Sequence, residues 1–83
     1  MRTVTLTKVA GDPLSDQHIG YWVSGELIKE PETGSHLAML RNVRNGEEVP
    51  GLFITSKIES LVPLDPWKTL VITQNSTWLM EEV

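Results

Sequence analysis

Hydrophobic and polar residues alternate along most of this chain with a period of two, the mark of half-buried strands rather than of helices. Over residues 2–9, Val4 and Leu6 fall on one face and Thr3, Thr5 and Thr7 on the other, which predicts a first strand. Residues 19–28 predict a second, carrying Tyr21, Trp22 and Val23; Gly20 and Gly25 weaken it and mark a bulge or sharp bend of the kind small barrels need at their corners. A third runs from His36 to Val43, with Leu37, Met39, Arg41 and Val43 on one face and Ala38 and Leu40 on the other, so that both faces are partly apolar. The stretch 51–61 reads two ways. Leu52, Ile54 and Ile58 alternate as in a strand, whereas Ser56-Lys57-Ile58-Glu59 imitates a helix capping box. Phe53-Ile54-Thr55 leads in with three strong β-formers and Pro63 arrives soon after, so strand is the better reading. Two last strands, 68–73 and 77–82, flank Gln74-Asn75-Ser76 as a terminal hairpin.

The connections are as legible as the strands. Asp12-Pro13-Leu14-Ser15-Asp16 supplies an N-cap and a proline at the first helical position, enough for one helical turn before His18. Glu30-Pro31-Glu32-Thr33-Gly34 predicts a turn. Asn45-Gly46 is a strong hairpin signal, because a type I′ turn demands positive φ at both central residues; Glu47, Glu48 and Pro50 extend that loop. Val62-Pro63-Leu64-Asp65-Pro66-Trp67 predicts a stiff loop. Valine, isoleucine and threonine supply 21 of the 83 residues, in keeping with pleated structure throughout. The expectation is one all-β domain over residues 1–83, a five- to six-stranded antiparallel barrel or roll that hides its edges by closing.

Composition narrows what such a domain does. At 40% hydrophobic and 22% charged residues the chain resembles an average globular protein and should fold. Its small size makes self-association an expected way to bury more apolar surface. With no cysteine it has no disulfide, thiolate nucleophile or cysteine-based metal site, which fits a reducing cytoplasm. No apolar run of signal-peptide length follows Arg2 and none is long enough for a transmembrane helix, so no membrane is expected. Seven Lys and Arg against eleven Asp and Glu, a net charge of −4, argue against nucleic-acid binding driven by phosphate neutralisation. Asn75-Ser76-Thr77 matches a glycosylation sequon and reads as a polar turn between strands.

Candidate chemistry is sparse. His18 lies near Asp12 and Asp16 with His36 further on, but no histidine pair has the spacing of a metal site, and no metal or cofactor is expected. Ser15, Asp16 and His18 are too close in sequence for a triad whose members converge from distant segments. Phosphate loop, nucleophile elbow and HExxH motif are all missing, so the chain is not expected to be an enzyme. Three tryptophans remain. Trp22 and Trp78, each within a strand, read first as barrel core; Trp67, between Pro66 and Lys68, either caps the barrel or projects toward a partner.

Phe53-Ile54-Thr55-Ser56-Lys57-Ile58, followed by Val71-Ile72-Thr73-Gln74-Asn75-Ser76-Thr77-Trp78, resembles a pattern in short bacterial and phage proteins: a Thr-Ser-x-aliphatic strand and then a Thr-x-Asn-Ser-x-aromatic hairpin. The match covers about the last third of the chain and brings no biochemical activity with it. It implies a small β-barrel of the SH3 type. Thr55, Ser56, Asn75 and Ser76 then read as side chains that hydrogen-bond turn backbone. The leading expectation is a non-enzymatic protein-interaction module that self-associates or binds a protein partner through a strand edge or Trp67, with Trp22 and Tyr21 as further contact candidates. In a phage-encoded chain, such a module would bind or inhibit a host protein. Two alternatives stand beside it: a small-molecule pocket lined by Tyr21, Trp22, His36 and Arg41, and a nucleic-acid binder of the OB or Sm kind, supported by fold analogy alone.

Overall fold

A computed structural model describes residues 2–11 and 18–82. The helical turn expected at residues 12–16 lies outside the described residues. Six strands follow one another: β1 (Thr3–Gly11), β2 (Trp22–Leu27), β3 (His36–Arg44), β4 (Glu47–Asp65), β5 (Lys68–Thr73) and β6 (Ser76–Glu82). Each pairs antiparallel with the next, and β6 returns to β1, which closes the sheet into a barrel. The all-β class and the upper end of the expected strand count are as the alternation pattern predicts.

Period-two alternation sends one residue in two to the interior. Val4 and Leu6 of β1, Val23 and Leu27 of β2, Leu37 and Met39 of β3, Phe53 and Ile58 of β4, Val71 of β5 and Met80 of β6 form the buried cluster. Trp78 anchors its aromatic part, with Phe53 and Tyr21 set edge-on at centroid distances of 5.6 and 6.3 Å. The face of Val4 and Leu6 continues into Lys8, which is also buried. Its aliphatic stem runs beneath Gly11, where a Cβ would stand 2.9 Å from Lys8 Cε.

Two sequence signals act as read. Asn45 (φ 49°) and Gly46 (φ 88°) both take positive φ, and Arg44 faces Glu47 across the resulting two-residue hairpin. At Gly25 the β2–β3 register shifts, and a Cβ there would lie 2.1 Å from the Leu40 carbonyl oxygen. The β3 backbone thus occupies the space that a side chain at Gly25 would need.

β4 departs from expectation. Glu47, Glu48 and Pro50 belong to the strand rather than to a loop, and Val62-Pro63-Leu64-Asp65 continues it, leaving Pro66-Trp67 as the turn. The strand is 19 residues long because it serves two neighbours in succession: Glu47–Lys57 pairs with β3 and Ile58–Asp65 with β5. Register shifts on both sides of the changeover bend it around this corner of the barrel. Each half therefore has a strand on one side only, which is where proline is tolerated, and Pro50 and Pro63 occupy one half each.

Candidate interaction surface

Trp67 sits at the tip of the β4–β5 hairpin. Its amide donates to Asp65 Oδ1 at 3.1 Å and its carbonyl accepts from the Glu82 amide at 2.8 Å, so the turn is held both within itself and to the end of β6. Trp67 is 59% exposed. It projects from the barrel rather than capping it. Leu64 and Val62, on the same hairpin, are exposed as well.

The other tryptophans separate. Trp78 is core, as expected. Trp22 is not: it is half-buried and lies between buried Tyr21 and Val23, on the outward side of β2. Val62, Leu70, Leu79, Thr7 and Trp22 are register partners in one row across β4, β5, β6, β1 and β2. Trp22 thus ends an apolar band on the outside of the sheet. Tyr21, proposed from sequence as a contact, is buried against Trp78.

The structure does not bring together the four residues of the alternative small-molecule pocket, Tyr21, Trp22, His36 and Arg41. Trp22, whose carbonyl accepts from the Asn45 amide, lies at the hairpin end of β3, whereas His36 begins that strand at its other end. His36 shares the outward side of β3 with Ala38 and Leu40, and Arg41 follows the side of Leu37 and Met39. Both are committed to backbone: His36 Nδ1 lies 2.7 Å from the Thr55 carbonyl oxygen, and Arg41 Nε donates to the Val49 carbonyl at 2.7 Å. A shallow depression lined by Asn42, Val43, Glu48 and Pro50 includes none of the four. Among the described residues, no three His, Asp or Glu side chains gather as a metal site would require, and no helix is long and apolar enough to cross a membrane.

Of the polar residues expected to hydrogen-bond turn backbone through their side chains, Thr55 and Ser56 do so, whereas Asn75 and Ser76 take part through their own backbone groups and Thr73 supplies the hydroxyl. Thr55 Oγ1 accepts from the Leu37 amide at 3.2 Å and donates to the Ser56 carbonyl at 2.8 Å. Ser56 Oγ accepts from the Asn75 amide, and Thr73 Oγ1 accepts from the Ser76 amide and donates to the Ser76 carbonyl. Buried Thr55 and Thr73 thereby give backbone groups a hydrogen-bond partner, Thr55 at the corner of β4 and Thr73 across the β5–β6 turn.

A surface that sequence reading missed lies on the outside of β3 and β4. Leu40 faces Leu52 and Ala38 faces Ile54 across the strands, and the Ile28 amide donates to the Ala38 carbonyl, which brings Ile28 alongside. Leu52 is 58% and Ile54 54% exposed; Leu40 and Ile28 are exposed too. Leu52 and Ile54 were expected to share a face with Ile58. The register shift between Ala38 and His36 places an extra residue in β4, so Ile58 turns into the core while Leu52 and Ile54 stay outside, opposite to Phe53 and Thr55. The signal was the alternation within Leu52-Phe53-Ile54-Thr55 itself, in which the largest side chain, Phe53, claims the interior. The strip has charged ends: Glu48, which faces Val43, and Lys57, which faces His36. Compared with protein-family models, curated proteins and solved structures, the chain matches none of them.

Proposed function

We propose that this chain is a non-enzymatic protein-interaction module of the cytoplasm, needing no cofactor, and that the Pro66-Trp67 tip is its contact with a protein partner. The carrying observation is the exposure of Trp67 on a turn held at both its amide and its carbonyl. A large aromatic on a fixed turn loses little conformational freedom on binding and offers a large apolar area with one N–H donor, the properties of an interface hot spot. Exposed Leu64 and Val62 broaden the apolar surface beside it. Binding by strand addition is less favoured. The ring is closed, and each one-sided half of β4 carries a proline and a bulge, which blunt an edge against a further strand.

The test is affinity capture from cells with the native protein and with Trp67→Ala. The side chain is exposed, so the variant should keep the native melting profile while losing the specifically retained proteins. Retention of the same proteins by both forms would remove Trp67 from the contact.

A further inference from the structure

We propose that the outer face of β3 and β4 is the contact through which two copies of this chain associate about a two-fold axis. The inference rests on the reading of the chain as an interaction module, and it uses a surface other than the Trp67 tip.

The argument lies in the order of residues along β4. Glu48 stands at one end, Leu52 and Ile54 occupy the middle, and Lys57 stands at the other end, with Leu40 beside the apolar centre. Glu47 stands opposite Arg44 at the hairpin itself, and Glu48 is the acidic residue nearer the apolar centre. A strip that runs from acid through apolar to base is its own complement when turned end for end. The midpoint between Glu48 and Lys57 and that between Leu52 and Ile54 coincide to within one residue, at Phe53. A two-fold axis there sets Leu52 over the second copy's Ile54 and Glu48 against the second copy's Lys57, and each contact occurs twice. A parallel arrangement would bring like charges together. A uniformly acidic or basic partner would match one end and repel the other.

Pro50 and the two bulges that flank residues 51–54 disfavour joining at the edge, so the copies meet face to face. The strip is roughly 25–30 Å long and two to three strands, roughly 10–14 Å, wide. That is below the roughly 800 Å² per partner of a standard interface, so the proposed dimer belongs with weak, concentration-dependent associations.

Sedimentation equilibrium at low salt, from low-micromolar to near-millimolar protein, tests this with the native chain, Glu48→Lys, Lys57→Glu and Trp67→Ala. Both charged positions are exposed, so the reversals should melt as the native chain does. The native chain is expected to dimerise, each reversal to weaken dimerisation about tenfold, and an equimolar mixture of the two reversals to restore it, since an all-basic strip then meets an all-acidic one. Trp67→Ala should leave the dimer unchanged. A native chain that stays monomeric overturns the proposal, as does a dimer indifferent to both reversals or a loss that mixing does not rescue. A dimer abolished by Trp67→Ala alone overturns this face while still supporting an interaction module, and a monomer that captures a partner through Trp67 separates the two readings in the same way.

Discussion

Gly25 shows how one missing Cβ fixes the spacing of two strands. Its φ is not in the positive region, so an alanine there carries no penalty of that kind; the cost is contact with backbone, with Arg41 Cα and the Leu40 carbonyl carbon at 2.9 Å and, nearest of all, the Leu40 carbonyl oxygen. That atom is backbone and cannot rotate away. Gly25→Ala should therefore lower the unfolding free energy by about 3 kcal/mol, read as a shift in the urea midpoint at unchanged slope. Gly20 is the control with the opposite physics. It has φ +95° and open space around it, so Gly20→Ala meets backbone strain alone, about 1 kcal/mol. Equal losses at the two positions would mean that β2 and β3 can move apart, and that the bulge rather than the glycine sets their distance. Thr55 makes the complementary point: its hydroxyl holds the buried Leu37 amide and the Ser56 carbonyl together at the corner, work that the neighbouring Phe53 position cannot do.

Hairpins joined by local chemistry were legible, and Asn45-Gly46 is the clearest. Asn45 combines positive φ with a side-chain oxygen that accepts from the Trp22 amide at 2.9 Å, so it ties the β3–β4 turn to the start of β2. Asn45→Ala loses both properties and should cost about 1–2 kcal/mol. Asn45→Gly keeps the backbone freedom, loses only a solvent-exposed hydrogen bond and should cost about half as much; thermal melts of the pair decide it, and equal losses would assign the whole effect to the bond with Trp22. Strand positions followed from alternation because side-chain period is a local property. The length of β4 did not, since Glu47, Glu48, Pro50 and Pro63 each look like loop chemistry in isolation, and their tolerance within a strand comes from having a neighbour on one side only. The candidate site divides along the same line. Trp67 was visible as an aromatic in a turn, and Trp22 could have been placed outside from its position between two core residues. The surface of Leu40, Leu52 and Ile54 required the register of two strands and the place of a bulge, and a pocket joining His36 to Tyr21 could be rejected only once the direction of β3 was known.

Closure of the barrel brings chain segments together that are far apart in sequence, and Arg2 exploits this. It stands just before β1, and its guanidinium bridges Glu30, beyond the end of β2, and Glu82, the last residue of β6. It thereby fastens the seam where the first and last strands meet. Hydrogen bonding to Glu30 raises the Arg2 pKa most, desolvation opposes this, and Glu82 adds to the rise. A raised folded-state pKa gives stability that is fully present below the unfolded-state value and is lost only as pH rises through the folded one. For an arginine that range lies at extreme alkalinity, so the Arg2 contribution from this shift is constant through neutral pH. Salt is the variable that reports on it. The side chain is 37% exposed, which limits the bridge to at most about 1 kcal/mol. In a domain of this size, that ceiling corresponds to a melting temperature lower by at most about 4–8 °C for Arg2→Ala at low ionic strength. In 1 M salt the screening length falls to about 3 Å, and the difference between the two proteins should shrink to less than half. A difference that persists undiminished would mean that Arg2 acts by packing rather than by charge, with its buried Nε and aliphatic stem filling the seam between the strand ends.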